Sequence, residues 1–108
     1  MLFRSSRQTP RLTATELSAW LSGSAPPLVL DVRGAGERAE RSITPSVHLP
    51  LPQLLRRLPE VPRDRALVIH CGSGYRSIIA CSLLEQRGYA PSDLVGGMAA
   101  WPGAAALA

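Results

Sequence analysis

The apolar positions of this chain fall into two kinds of pattern. Leu28-Val29-Leu30-Asp31-Val32 and Ala66-Leu67-Val68-Ile69-His70 are short, nearly continuous apolar runs. Such runs suit strands buried on both faces, the habit of parallel sheets. Between and around them, apolar residues recur at helical spacing. Thr13-Ala14-Thr15-Glu16 has the form of a capping box, in which hydroxyl and carboxylate satisfy free backbone donors at a helix start. The helix it opens carries Leu17, Trp20 and Leu21 on one face and ends at Gly23 and Pro26-Pro27. Residues 33–46 read as irregular, with at most a helical turn near Glu37 to Glu40. Val47-His48-Leu49 reads as a short strand, and Pro52 as the start of a helix through Leu54, Leu55 and Leu58, closed by Pro59 and Pro62. A third helix is expected from Ser77 to about Arg87, stopped by Gly88. Asp93-Leu94-Val95 is then a last strand, followed by Gly96-Gly97 and a helical turn through Trp101.

Strands alternating with helices in 108 residues predict one α/β domain with a mostly parallel central sheet. Residues 1–10 are expected to be a flexible segment and 11–108 the domain. No run is long and apolar enough for a membrane span, and residues 1–10 lack the apolar core of a signal peptide. A soluble cytoplasmic protein without membrane contact, a monomer or weak dimer, is the expectation.

Charge changes this picture little. All twelve basic residues are arginines, and the formal net charge is +4. They are dispersed, and the five aromatic residues do not interleave with them, so a nucleic-acid platform is not expected. Cys71 and Cys81 are the only cysteines, and His48 and His70 the only histidines. Their spacing does not fit a zinc site, so neither metal nor organic cofactor is expected.

The candidate chemistry centres on Cys71. In open parallel sheets, ligands bind beyond the carboxyl ends of strands, where loops enter helix N-termini. Cys71 sits at such an end, in His70-Cys71-Gly72-Ser73-Gly74-Tyr75-Arg76-Ser77. Inward-turned backbone N–H groups, the helix dipole and Arg76 should together favour the thiolate. Gly72 and Gly74 permit close backbone approach, and Ser73 and Ser77 offer hydroxyls to the rim. Cys81 shares the apolar side of its helix with Ile78 and Leu84 and reads as core. His70 should point to the opposite face from the nucleophile and be hydrogen-bonded in the core. Asp31 ends a buried strand near the loop, where it can orient Arg76 or cap the following turn. Arg33 either extends a cationic rim or pairs with Glu37.

That loop resembles the active-site loop of rhodanese-like domains, Cys-x-x-Gly-x-Arg-Ser. Leu30-Asp31-Val32-Arg33, the stretch from Ile43 to Pro50, and Gly96-Gly97-Met98-Ala99-Ala100-Trp101 resemble the same family's other signatures in order. Arg41-Ser42-Ile43-Thr44-Pro45-Ser46 departs from its usual Gly-His-Ile-Pro-Gly-Ala. The resemblance implies a three-layer fold with helices on both sheet faces. It also implies a thiosulfate-type sulfurtransferase that moves sulfane sulfur from a small donor to a thiol or cyanide through a persulfide on Cys71. The site would comprise Gly72, Ser73, Gly74, Tyr75, Arg76 and Ser77, with Asp31 and Arg33 supporting. Cys71 to Arg76 is Cys-x4-Arg, one residue shorter than the Cys-x5-Arg of related phosphatases, which makes a phosphatase the lesser alternative. A binding or regulatory module that only borrows the fold is the other.

Overall fold

The computed structural model describes residues 9–73 and 75–101. Five strands, β1 (Arg11–Leu12), β2 (Leu28–Asp31), β3 (Val47–His48), β4 (Leu67–His70) and β5 (Ser92–Leu94), form one parallel sheet in the order β1-β5-β4-β2-β3. The three helices are α1 (Ala14–Leu21), α2 (Ala35–Glu40) and α3 (Tyr75–Gln86). The two apolar runs become β2 and β4, paired in register from Leu28↔Leu67 to Asp31↔His70. Both lie inside the sheet, which is why they alternate so little between apolar and polar residues.

Alternation of side chains divides the core. Leu30, Val32, Leu67, Ile69 and Cys71 face one layer, where they meet Ala80, Cys81 and Leu84 of α3 and Leu54 and Val61. Val29 and Val68 face the other layer, with Leu17 of α1, Ile43, Leu94 and Met98. The result is the expected three-layer arrangement, with α1 and α3 on opposite faces.

Helix α1 starts where the capping box predicts. Thr13 Oγ1 accepts from the Glu16 N–H at 3.1 Å, and the Glu16 carboxylate accepts from the Thr13 N–H at 2.8 Å. Thr13→Ala should therefore destabilise the domain by about 1 kcal/mol. Thermal unfolding should show this as a midpoint lowered by about 4–8 °C; an unchanged midpoint would mean the box contributes nothing.

Three segments differ from the sequence expectation. The helix foreseen from Pro52 is instead two 3-10 turns, Leu51–Gln53 and Leu58–Glu60, with looser turns between. Pro59 lacks the N–H a continuous helix needs. Residues 35–40 form a true helix, α2, none of whose residues is buried. The strand β1 has no signature of its own and exists through its pairing with β5, Arg11 opposite Asp93. On α3, Leu84 and Cys81 are buried as expected, but Ile78 is 52% exposed. The buried stripe is Ser77, Ala80, Cys81 and Leu84, and at 3.6 residues per turn Ile78 falls just outside it.

The 41–46 loop passes through a cis Thr44–Pro45 bond and buries Ile43. Residues 1–8, Gly74 and 102–108 lie outside the described residues, and with them most of the segment expected to be flexible. No helix among the described residues is long and apolar enough to cross a membrane.

Candidate functional site

β4 is the middle strand of the five, and Cys71 follows its last residue. Chain connections leave β4 and β2 toward opposite edges, so a crevice is expected above their carboxyl ends. Cys71 lies there, 1% exposed, four residues before the first residue of α3. The stretch between carries Gly72 and Ser73, and Gly74 lies outside the described residues. Tyr75 opens α3 and is 74% exposed.

The start of this loop is pinned from behind by the segment after β5. Met98 N–H donates to the Cys71 carbonyl at 2.8 Å, and Ala99 N–H to the Gly72 carbonyl at 2.9 Å. Gly96 and Gly97 adopt φ of +76° and +54° to deliver those donors. A Cβ on Gly97 would lie 2.3 Å from the Cys71 carbonyl oxygen, so only glycine fits this approach.

Arg76 does not stand alone. Its Nη1 and Nη2 donate to Glu37 Oε1 and Oε2 at 2.7 and 2.8 Å, a two-pronged pair between α3 and α2. Glu37 Oε1 also accepts from the Gly34 N–H at 3.1 Å. The Arg76 bonds, helped by that backbone donor, hold the Glu37 carboxyl down to about 2. The pair is therefore intact at neutral pH and is lost only as pH falls from the usual carboxylate range toward about 2. Arg76 is raised first by Glu37 and more weakly by the charge of Cys71. Both partners are more than a third exposed, so the pair adds little to stability, although it fixes the charge beside the loop.

Asp31 takes the turn-capping part offered for it, its Oδ1 accepting from the Arg33 N–H at 3.0 Å, whereas Arg33 plays neither part expected of it. Asp31 is wholly buried on the sheet face opposite Cys71, and its ion pairs run to Arg33 and Arg38. It accepts from Arg33 Nε at 2.9 Å, Arg33 Nη2 at 2.8 Å and Arg38 Nη1 at 3.2 Å. Burial pushes its carboxyl upward, but the Arg33 bonds outweigh this and keep it below its ordinary value. Arg33, 3% exposed, forms no cationic rim and no pair with Glu37. Its Nη2 continues to the Arg41 carbonyl, and Arg41 Nη2 donates to the Met98 carbonyl at 2.5 Å. Since Met98 holds Cys71, the two predicted supporting residues reach the loop indirectly, through Arg41. Arg41 opens the 41–46 stretch that departs from the family pattern.

Ser77 is buried and donates to Asp93 Oδ1 at 2.5 Å, so its O–H ties α3 to β5 rather than facing the rim. His70 is buried on the Asp31 face, with Nδ1 3.3 Å from the Cys71 carbonyl oxygen and Nε2 3.9 Å from Asp31 Oδ2. The ring is thus a hydrogen-bonded core residue, as expected, although Nε2 has no hydrogen-bond partner among the described residues. Burial lowers the His70 pKa, leaving the ring neutral near pH 7. A separate cavity of about 160 Å³ is lined by Thr9, Arg11, Ile78, Cys81 and Asp93 and not by the Cys71 loop. No three His, Cys, Asp or Glu side chains among the described residues gather as metal ligands would.

Sequence reasoning named Glu37 only as a surface partner for Arg33, and it missed Asp93 and the pinning role of Gly97. The one available signal for Glu37 was its place three residues after Gly34, where a carboxylate can reach back to a helix start.

Comparison with known proteins agrees with this fold. The chain is 37% identical over 91 residues to a sulfurtransferase of Allochromatium vinosum, covering 83% of this chain and 85% of that one. It is 35% identical over 102 residues to an adenylyltransferase and sulfurtransferase of Zea mays, covering 87% of this chain but only 21% of the maize protein. A rhodanese-like domain protein from Staphylococcus aureus superposes with a TM-score of 0.83 at 29% identity, covering 86% of this chain and 91% of that one. With the rhodanese-like domain profile matching residues 13–104, nearly its whole length, this chain belongs to the rhodanese-like domain family.

Proposed function

We propose that this chain is a sulfurtransferase in which Cys71 carries sulfur as a persulfide. The observation that supports it best is the position of Cys71, at the carboxyl end of the central strand and immediately before α3, with its carbonyl fixed by Met98. A strand end opening onto a helix N-terminus is a place where negative sulfur is stabilised. The relatives named as sulfurtransferases support the same class of reaction.

The reaction is a double displacement. The Cys71 thiolate attacks the outer sulfur of a small donor, thiosulfate or a similar compound. The donor's S–S bond breaks, and its electron pair departs with sulfite. A thiol or cyanide then attacks the terminal sulfur of the Cys71 persulfide and regenerates the thiolate. A thiolate nucleophile needs no general base. Gly72, Ser73 and Arg76 border the added sulfur, with Tyr75 at the mouth; Gly74, named for the same loop, lies outside the described residues. Ser77, Asp31 and Arg33 hold the loop's supports. The protein works in the cytoplasm as a monomer or weak dimer and without cofactor.

Intact-protein mass spectrometry after incubation with thiosulfate, followed by peptide mapping and cyanide discharge, tests this reading. A gain of one sulfur on Cys71 that cyanide removes is the expected result. No adduct on any donor, in protein whose Cys71 still alkylates, would favour a binding module instead.

A further inference from the structure

Gly72 has no side chain at a point where two charged groups meet. A Cβ there would stand 3.2 Å from Arg76 Nη2 and 3.4 Å from Glu37 Oε2. The carboxylate that α2 supplies therefore lies against the residue directly after Cys71. It occupies both terminal nitrogens of Arg76 and is itself anchored on the Gly34 N–H. The obvious cation of the loop is thus already matched by an anion of equal charge. Any donor that approaches Cys71 meets the pair, not a bare guanidinium.

We infer that Glu37 determines donor specificity, disfavouring doubly charged oxyanion donors relative to uncharged or singly charged persulfide donors. This rests on the reading of Cys71 as a sulfur carrier. With thiosulfate, the Cys71 thiolate takes the outer sulfur and sulfite leaves with the electron pair of the broken S–S bond. The total charge of −3 is the same before and after. With an alkyl hydropersulfide, R–S–SH, the thiolate takes the outer SH group and R–S⁻ leaves with the electron pair. Cys71 is then left as –S–SH, whose proton passes to water. Both routes end on the same persulfide, so they differ in the charge the donor brings past Glu37. A unit charge beside a dianion changes its affinity by about tenfold even at the dielectric of water, while a neutral donor is unaffected.

The test compares the rate of Cys71 loading, followed by intact mass across donor concentration, for thiosulfate and for an alkyl hydropersulfide. Wild type, Glu37→Gln and Glu37→Asp are measured, with Glu37→Ala as a second neutral variant should Gln fail to fold. For the neutral variants the thiosulfate-to-hydropersulfide efficiency ratio should rise about tenfold. The rise should lie in the half-saturating concentration of thiosulfate and shrink with added salt. Glu37→Asp, which keeps the charge, should stay close to the wild-type ratio. A ratio unchanged in the neutral variants, or an equal fall in maximal rate with both donors, would show that Glu37 only clasps the loop and would overturn the inference. Failure of the wild type to load from either donor would overturn the sulfur-carrier reading, and this inference with it.

Discussion

Cys71→Ser should abolish sulfur transfer, lowering the rate by at least about 10⁴-fold, while the protein remains folded. Serine keeps the shape of the side chain but removes the ionisable, polarisable sulfur. Its hydroxyl stays protonated at neutral pH and is a far weaker nucleophile than a thiolate. Cys71 is 1% exposed, so burying the hydroxyl costs about 1–3 kcal/mol. The carbonyl at position 71 still accepts from Met98, because that bond belongs to the backbone. Thiocyanate release and intact mass report the chemistry, and thermal unfolding reports the fold. Cys81→Ser is the companion variant and should keep most of the activity, since Cys81 packs beside Ala80 and Leu84 in the core. Transfer that survives in Cys71→Ser would remove Cys71 from the mechanism. Loss in both variants, with normal folding, would bring Cys81 into it.

What the sequence could reveal depended on how local the cause was. β2 and β4 announce themselves because strands covered on both faces are nearly continuous apolar runs, and α1 because its capping box is written in four consecutive residues. The Cys71 loop is likewise contiguous, so its elements could be read in order. Contacts between distant residues were not legible in this way. Glu37 reaches Arg76 across 39 positions, and Met98 reaches the Cys71 carbonyl across a whole βα unit. Arg33 and Glu37 are four apart and of opposite charge, which on a helix would make them neighbours. The helix begins only at Ala35, however, so Arg33 turns back to the buried Asp31 and Glu37 is left for Arg76. The same dependence on distant partners hid β1, which has only its pairing with β5 to define it. In the 51–60 segment, apolar spacing suggested a helix that Pro59 does not permit.

Gly97→Ala should be the most damaging change outside the reactive loop itself. The added methyl would lie 2.3 Å from the Cys71 carbonyl oxygen and 3.0 Å from the Gly72 carbonyl carbon, both backbone atoms that cannot rotate away. Alanine also disfavours the φ of +54° that this position holds. Relief requires the 3-10 turn Gly97–Ala100 to move off the loop, which gives up the Met98 and Ala99 hydrogen bonds. Stability should fall by about 3 kcal/mol, the upper end for overpacking a tight site. Activity should fall further than stability does. Displacing Cys71 by about 1 Å costs about 100-fold in a positioned reaction, so the folded fraction of the variant should still transfer sulfur poorly. Gly36→Ala is the matched control, because a Cβ at Gly36 meets nothing within 4 Å. Denaturant unfolding, with transfer rates corrected for the folded fraction, separates the two effects. A Gly97→Ala protein that folds normally and transfers sulfur at the wild-type rate would mean that the contact with Cys71 is not what holds the loop.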